Sequence, residues 1–212
     1  RHYSMTTIGD VPSYRWREVV TDDSQLGEMG LRTKPTILQV ICGKPADLHT
    51  DEFEQQKLVF CRKHIYRSLE ELAPADPVAE EDEALHEITI QSFSSRTILY
   101  TALVMGRGID GKGNGLGRFF ASDLMNPKFK ARFAMIHDRF ATATLPSWSR
   151  AQPRRFMAHN GEIVSIHGNA AYVRAIEGPM ANDPKLSQLL PIIEPGGTDS
   201  AAFDNIVEAD IA

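Results

Sequence analysis

Residues 88–105 read ITIQSFSSRTILYTALVM, and the way this stretch divides decides the fold class. Ile88–Phe93 and Thr97–Val104 are short runs rich in β-branched and aromatic side chains, with Ser94-Ser95 between them. That pattern predicts two neighbouring strands joined by a tight turn. Upstream, Pro35–Cys42 (PTILQVIC) reads as a buried strand. Asp51–Leu72 sets Phe53, Leu58, Cys61, Ile65, Leu69 and Leu72 on one helical stripe, with Asp51 and Glu54 as a capping-box-like start. Residues 75–87 are acidic and poor in large apolar groups, a solvated loop. Downstream, Phe133–Ile136 is a short strand candidate, Val164–Ile176 is mostly helical or irregular, and a final helix starts near Asp199. Strands in neighbouring pairs with helices in separate segments favour a layered α+β protein over a βαβ alternation.

Composition narrows the function classes. The 212 residues suffice for one sizeable core, and 42% hydrophobic with 24% charged residues is ordinary for a globular protein. A net charge of −5 argues against a nucleic-acid partner, which calls for a basic stripe. No apolar run approaches the roughly 20 residues that cross a bilayer, so no membrane partner is expected. Two cysteines, Cys42 and Cys61, do not make a disulfide framework, and a reducing compartment is the default. The chain starts at Arg1 with neither a signal nor a transit pattern, and its last helix runs to the end. It reads as a processed chain or a fragment.

Several motifs could carry chemistry. Gly106, Gly108 and Gly111 formally satisfy GxGxxG, but no βαβ unit surrounds them, and further glycines up to Gly117 offer no good helix start. A flexible surface hairpin or insertion is expected at residues 106–117, with nucleotide binding a distant second. His137, Asp138, His159 and His167 lack metal-ligand spacing, so structural roles are expected and no metal. Cys61 lies on the apolar stripe as core packing, and Cys42 reads as structural too.

The more informative segments converge on one ligand type. In HDRFATAT, Arg139 can grip a carboxylate through two parallel hydrogen bonds and Thr142 can add a third; a structural ion pair is the equal alternative. Asp199 in GGTDSAAF is either a plain N-cap or an acceptor for an ammonium group. In RRFMAHNGEI (154–163), Phe156, Met157 and Ala158 could fill a buried strand that His159, Asn160 and Gly161 end. An amide side chain beside a glycine N–H supplies two donors for an oxyanion. Together these suit a zwitterionic substrate.

The stretch HDRFATATLPSWSRAQPRRFMAHNGEI (137–163), continued by Gly168-Asn169, RAIEG (174–178) and LLPIIEPGGTDSAAFDN (189–205), resembles the glutaminase domain, a class II glutamine amidotransferase, of the glutamate synthase large subunit. YRWREVVTDDSQLGE, DEFEQQKLVFCRKHIYRSL and SFSSRTILY are similar as well. The resemblance implies an N-terminal-nucleophile hydrolase fold: an αββα sandwich, incomplete at both ends, with residues 1–212 forming part of a single domain. It implies glutamine as substrate, hydrolysed at an N-terminal cysteine, with the ammonia channelled to amination of 2-oxoglutarate. By motif, Arg139 and Thr142 would hold the substrate carboxylate, Asp199 its ammonium, and Asn160 with Gly161 the oxyanion. FMN and an iron–sulfur cluster would belong to the remaining synthase domains, which are expected partners together with a small electron-transfer subunit. No cofactor is expected in this chain. The location implied is the cytoplasm, or the plastid stroma in a plant or alga.

Departures from the family pattern are specific. Neither Cys42 nor Cys61 occupies the nucleophile's place, so the thiolate is expected to be absent from this chain. Ala143 and Val164 stand where asparagines are usual, and Tyr172 replaces a tryptophan. The expected function is therefore glutamine binding and oxyanion stabilisation within a glutamate synthase. The alternative is a non-catalytic amidotransferase-like domain for ligand binding or assembly.

Overall fold

The computed structural model describes residues 4–6, 14–53, 59–72, 88–138, 146–159, 161, 163–164, 166–194 and 197–210. In chain order the elements are β1 (Ser4–Thr6), β2 (Tyr14–Glu18), α1 (Glu28–Arg32), β3 (Leu38–Cys42), α2 (Thr50–Glu52), α3 (Val59–Leu72), α4 (Gly115–Phe119), α5 (Ala121–Leu124), α6 (Ile166–Met180) and α7 (Asp199–Asp210). The arrangement is α+β, and among the described residues no helix is long and apolar enough to cross a membrane. The chain divides into two compact units. One comprises Arg1–His49, Tyr100–Phe140 and Leu145–Gln152; the other comprises Thr50–Leu99, Ala141–Thr144 and Pro153–Ala212.

The first unit holds an antiparallel sheet in the order β1-β2-β3, with Trp16 opposite Val40 and Glu18 opposite Leu38. Its core is Val19, Leu26, Ala102, Phe119 and Phe120, with Tyr100, Val104 and Trp148 packed around it. Edge-to-face contacts join Tyr100 to Phe120 at 5.0 Å and Phe119 to Phe120 at 4.7 Å, the geometry that ring quadrupoles favour. Arg17 reaches across β3 to Gln39 and on to Asp123, whose carboxylate also accepts the Tyr100 hydroxyl at 3.0 Å. Strand β3 forms where the sequence places it but is not buried: Leu38, Val40 and Ile41 are all exposed.

The paired strands predicted at 88–104 do not form. The chain only bends, at Ser95-Arg96, where the Ser94 hydroxyl accepts the Arg96 and Thr97 amides; Ile88–Phe93 carries no ladder and Val104 makes only an isolated bridge, to Leu26. The stretch is divided between the units: Tyr100, Ala102 and Val104 belong to the aromatic core, whereas the Ile90 amide donates to the Tyr66 hydroxyl at 2.7 Å in the other unit. Tertiary partners take the backbone and side chains a hairpin would have used. Phe133–Ile136 is likewise not a strand, and Phe133 and Ile136 are exposed.

The glycine-rich segment is a tightly wound loop and does start a helix, contrary to its reading as a flexible hairpin. Gly108, Gly111 and Gly113 have φ of 71°, 71° and 83°, and Asn114, at 60°, leads into α4. A Cβ at Gly115 would overlap the Met105 carbonyl oxygen, so glycine is required there by close approach. The Gly115 amide donates to Gly106 within the loop at 3.3 Å, and Arg118 grips Asp110 through two contacts of 2.9 Å.

In the second unit, α3 buries a different face from the predicted stripe. Val59, Arg62 and Lys63 are buried and Tyr66 is half-buried, while Cys61 and Ile65 are exposed. The buried face lies about one residue, ~100°, around the helix from the expected one. Cys61 is thus not core packing; neither it nor Cys42 forms a disulfide, and both are exposed. The rotation follows from what α3 meets: Arg62 bonds Glu194 at 2.6 Å and Glu208, and Lys63 bonds the Pro191 and Ile192 carbonyls at 2.7 and 3.1 Å. A helix facing buried carboxylates must present its cations to them.

Candidate functional site

Helix α7 organises the second unit. Its buried stripe is polar: Ser200, Asp204, Asn205 and Glu208 lie on one face, while Phe203 is 47% exposed. Buried carboxylates are costly unless paired, and Arg155 pairs them. Its Nε donates to Asp204 Oδ2 at 2.7 Å, Nη1 to Glu208 Oε1 at 3.0 Å and Nη2 to Asn205 Oδ1 at 2.6 Å. Burial opposes ionisation of Glu194, but the Arg62 and Lys63 charges overcome it and hold the carboxyl below its ordinary value. Burial likewise opposes the charge on Arg62, and the Glu208 and Glu194 carboxylates raise its pKa above the usual range. For Lys63 burial prevails and the pKa is lowered.

Asp199 is the first residue of α7, and the residue before it does the capping. The Thr198 hydroxyl accepts from the Ala201 amide at 3.3 Å and from Arg154 Nη2 at 2.8 Å. The Asp199 carboxylate, half-buried, accepts the Ser200 amide at 2.7 Å and the Ile163 amide at 3.1 Å. The second bond joins the helix start to the far end of RRFMAHNGEI. Between Ile163, Ile166, Ala170, Ala202, Ile206 and Asp199 lies a cavity of about 40 Å³. At ~10–15 Å³ per water that volume is too small for an amino acid.

The near end of RRFMAHNGEI is held as firmly. The Phe156 amide donates to Asp204 Oδ1 at 2.8 Å, and the Arg154 amide turns back to the Met157 carbonyl at 3.0 Å. The buried strand predicted for Phe156–Ala158 is absent: Phe156 and Ala158 are exposed, because this backbone bonds helix side chains and not a neighbouring strand. Gly161 is exposed, and its amide donates to His159 Nδ1 at 3.3 Å. Arg139, Thr142 and Asn160, together with the acidic loop at 75–87, lie outside the described residues. Of the expected site residues, the structure therefore places Gly161 on a segment fastened at both ends to the helix that carries Asp199. Among the described residues no group of three or more metal-ligating side chains comes together.

Sequence reasoning passed over the residues that build this framework: Arg154, Arg155, Asp204, Asn205 and Glu208. The available signal was the Arg154-Arg155 pair and the i, i+1, i+4 spacing of Asp204, Asn205 and Glu208 on one helical face. Such polar spacing is ordinarily a solvated face.

Comparison with known proteins completes the picture. The chain is 36% identical over 197 residues to the NADH glutamate synthase of Saccharomyces cerevisiae, covering 91% of this chain and 8% of that protein. It is 32% identical over 199 residues to the NADPH glutamate synthase large chain of Bacillus subtilis, covering 91% and 12%. With the ferredoxin-dependent glutamate synthase of Cyanidium caldarium it shares 33% over 196 residues, covering 91% and 11%. The chain thus spans about a tenth of the length of the relatives it matches. The family profile described as glutamine amidotransferases class-II matches residues 8–211, and the chain belongs to that family.

Proposed function

We infer that this chain is the glutamine-hydrolysing part of a glutamate synthase. The observation that carries the reading is the 3.1 Å bond from the Ile163 amide to Asp199, which ties the HNGE segment to the acidic helix start within a class-II amidotransferase sequence. Residues 1–212 form part of one domain of the N-terminal-nucleophile hydrolase type, an αββα sandwich.

Glutamine is held at its two charged ends. Arg139 and Thr142 take the α-carboxylate, and Asp199 takes the α-ammonium with the lone pairs left beyond its two backbone bonds. The nucleophile is a cysteine thiolate whose own α-amine is the base, a place held neither by Cys42, within β3, nor by Cys61, within α3. Its sulfur adds to the side-chain amide carbon and the carbonyl electron pair moves onto oxygen. Asn160 Nδ2 and the Gly161 N–H donate to that oxyanion. The Gly161 amide exchanges its 3.3 Å bond to His159 for the stronger charge-assisted one. Collapse passes the proton that the α-amine took from the thiol to the leaving nitrogen, expels ammonia and leaves a thioester, which water cleaves to glutamate and free thiol.

The ammonia is channelled to amination of 2-oxoglutarate in the remaining synthase domains. FMN and an iron–sulfur cluster supply the electrons there, with a small electron-transfer subunit as a further partner. The enzyme works in the cytoplasm, or in the plastid stroma of a plant or alga. The test is glutamine hydrolysis by the full-length protein. Asn160→Ala is expected to lower kcat by roughly 10²–10³-fold, and Asp199→Asn to raise KM for glutamine. Wild-type turnover in Asn160→Ala removes it from the oxyanion role. Glutamine binding without hydrolysis by the unsubstituted full-length protein favours the ligand-binding alternative.

A further inference from the structure

We propose that Arg155 is a positioning residue for this glutaminase site: it sets the backbone leading into Asn160 and Gly161 on the helix that carries Asp199. The inference rests on the functional reading above and names a residue that touches neither substrate nor nucleophile. Three different donors of its guanidinium reach three different acceptors, Asp204, Glu208 and Asn205, all on the buried face of α7. Asp204 spends its other oxygen on the Phe156 amide, so a single carboxylate fixes both the side chain of Arg155 and the main chain of the next residue.

Arg154 adds a bond to Thr198, immediately before Asp199. Beyond Gly161 the chain returns to the same helix through the Ile163 amide. Residues 157–159 and Gly161 thus lie between two backbone attachments to α7, the Phe156 amide on Asp204 and the Ile163 amide on Asp199.

Apolar packing could bury the same helix face more cheaply, but it is non-directional, whereas a forked guanidinium on three acceptors fixes orientation. Orientation is what an oxyanion hole demands, since a misplacement of about 1 Å can cost ~10²-fold in rate. Lysine keeps the charge but cannot reproduce three diverging contacts.

The experiment measures kcat and KM for glutamine hydrolysis in the full-length protein and in Arg155→Lys, with hydrogen-exchange protection of α7 as the folding control. Arg155→Lys is expected to keep α7 protected and to lower kcat by about 10–100-fold with KM changed less than ~3-fold, because oxyanion donors act in the transition state. Where Arg155→Lys loses α7 protection, Asn205→Leu decides, since it deletes one neutral contact. It is expected to lower kcat by about 3–10-fold at constant KM. Wild-type kcat in a folded Arg155→Lys or in Asn205→Leu overturns the proposal while leaving glutaminase activity standing, and so does an equal change in kcat and KM. Absence of hydrolysis in the unsubstituted protein overturns the functional reading itself and this inference with it.

Discussion

The two units of this chain solve burial in opposite ways. The first is centred on Phe119 and Phe120, at 0% and 2% exposure, with Tyr100 and Trp148 against them; it buries one carboxylate, Asp123, against Arg17 and Tyr100, while its Lys34–Asp23 and Arg118–Asp110 pairs lie toward the surface. The second buries charge: among the described residues Arg62, Lys63, Arg154, Asp204 and Glu208 are buried, with Arg155, Glu194 and Asp199 half-buried beside them. Among the described residues its most buried pair is Arg62 with Glu208, 1% and 5% exposed. Apolar packing supplies most stability at least cost, whereas paired buried charge is roughly neutral energetically and strongly directional. The unit that carries the expected oxyanion segment and Asp199 is the directional one.

The largest expected effect tests that contrast. Arg62→Met leaves Glu208 and Glu194 short of a buried partner, and breaking such a pair costs about 3–5 kcal/mol. Hydrogen exchange should show α3 and α7 losing protection well before α4; equal loss in both units would break the comparison. Acid is the intermediate test. The carboxyl of Glu194 is depressed in the folded state, so it contributes stability above its unfolded pKa of about 4.3, and that contribution is lost as pH falls through the folded value. Protection of α3 and α7, corrected for intrinsic exchange rates, should fade with acid, and Glu194→Gln should blunt the dependence. An unchanged pH profile in that variant would detach Glu194 from the effect. In the first unit Asp22, Asp23 and Asp110 are also held below their ordinary values, but at the surface, where solvent screens such contacts.

The smallest effect separates the two readings of α3. Cys61→Ser on the exposed face should change stability by no more than about 0.5 kcal/mol, measured by denaturant unfolding. A core position on the predicted apolar stripe would lose more. A substantial loss would return Cys61 to the interior and undo the rotation of the helix.

Much of the local structure was legible. The helix at 199–210 and the strand at 38–42 appear where motif and β-branched content predict them, and the helix at 166–180 resolves a stretch that reads as helical or irregular. Asp199 sits at a helix start, as its motif reads. What failed was each inference that required knowing a partner. ITIQSFSSRTILYTALVM has strand composition, yet its halves are claimed by different units. The glycines of 106–117 read as freedom; Gly108, Gly111 and Gly113 use it to hold positive φ, whereas Gly115 is demanded by the Met105 carbonyl that crowds it.

By itself, then, the sequence determined the family, the α+β class and the helix start at Asp199, because composition, period and motif spacing are local properties of the chain. Only the tertiary structure decided which face of α3 points inward, and that α7 is lined with carboxylates. It also decided that Arg155 and the Phe156 amide bond the buried face of α7. A charged side chain looks solvated until its counter-charge is placed beside it, and here Arg62 meets Glu208 across 146 residues of sequence.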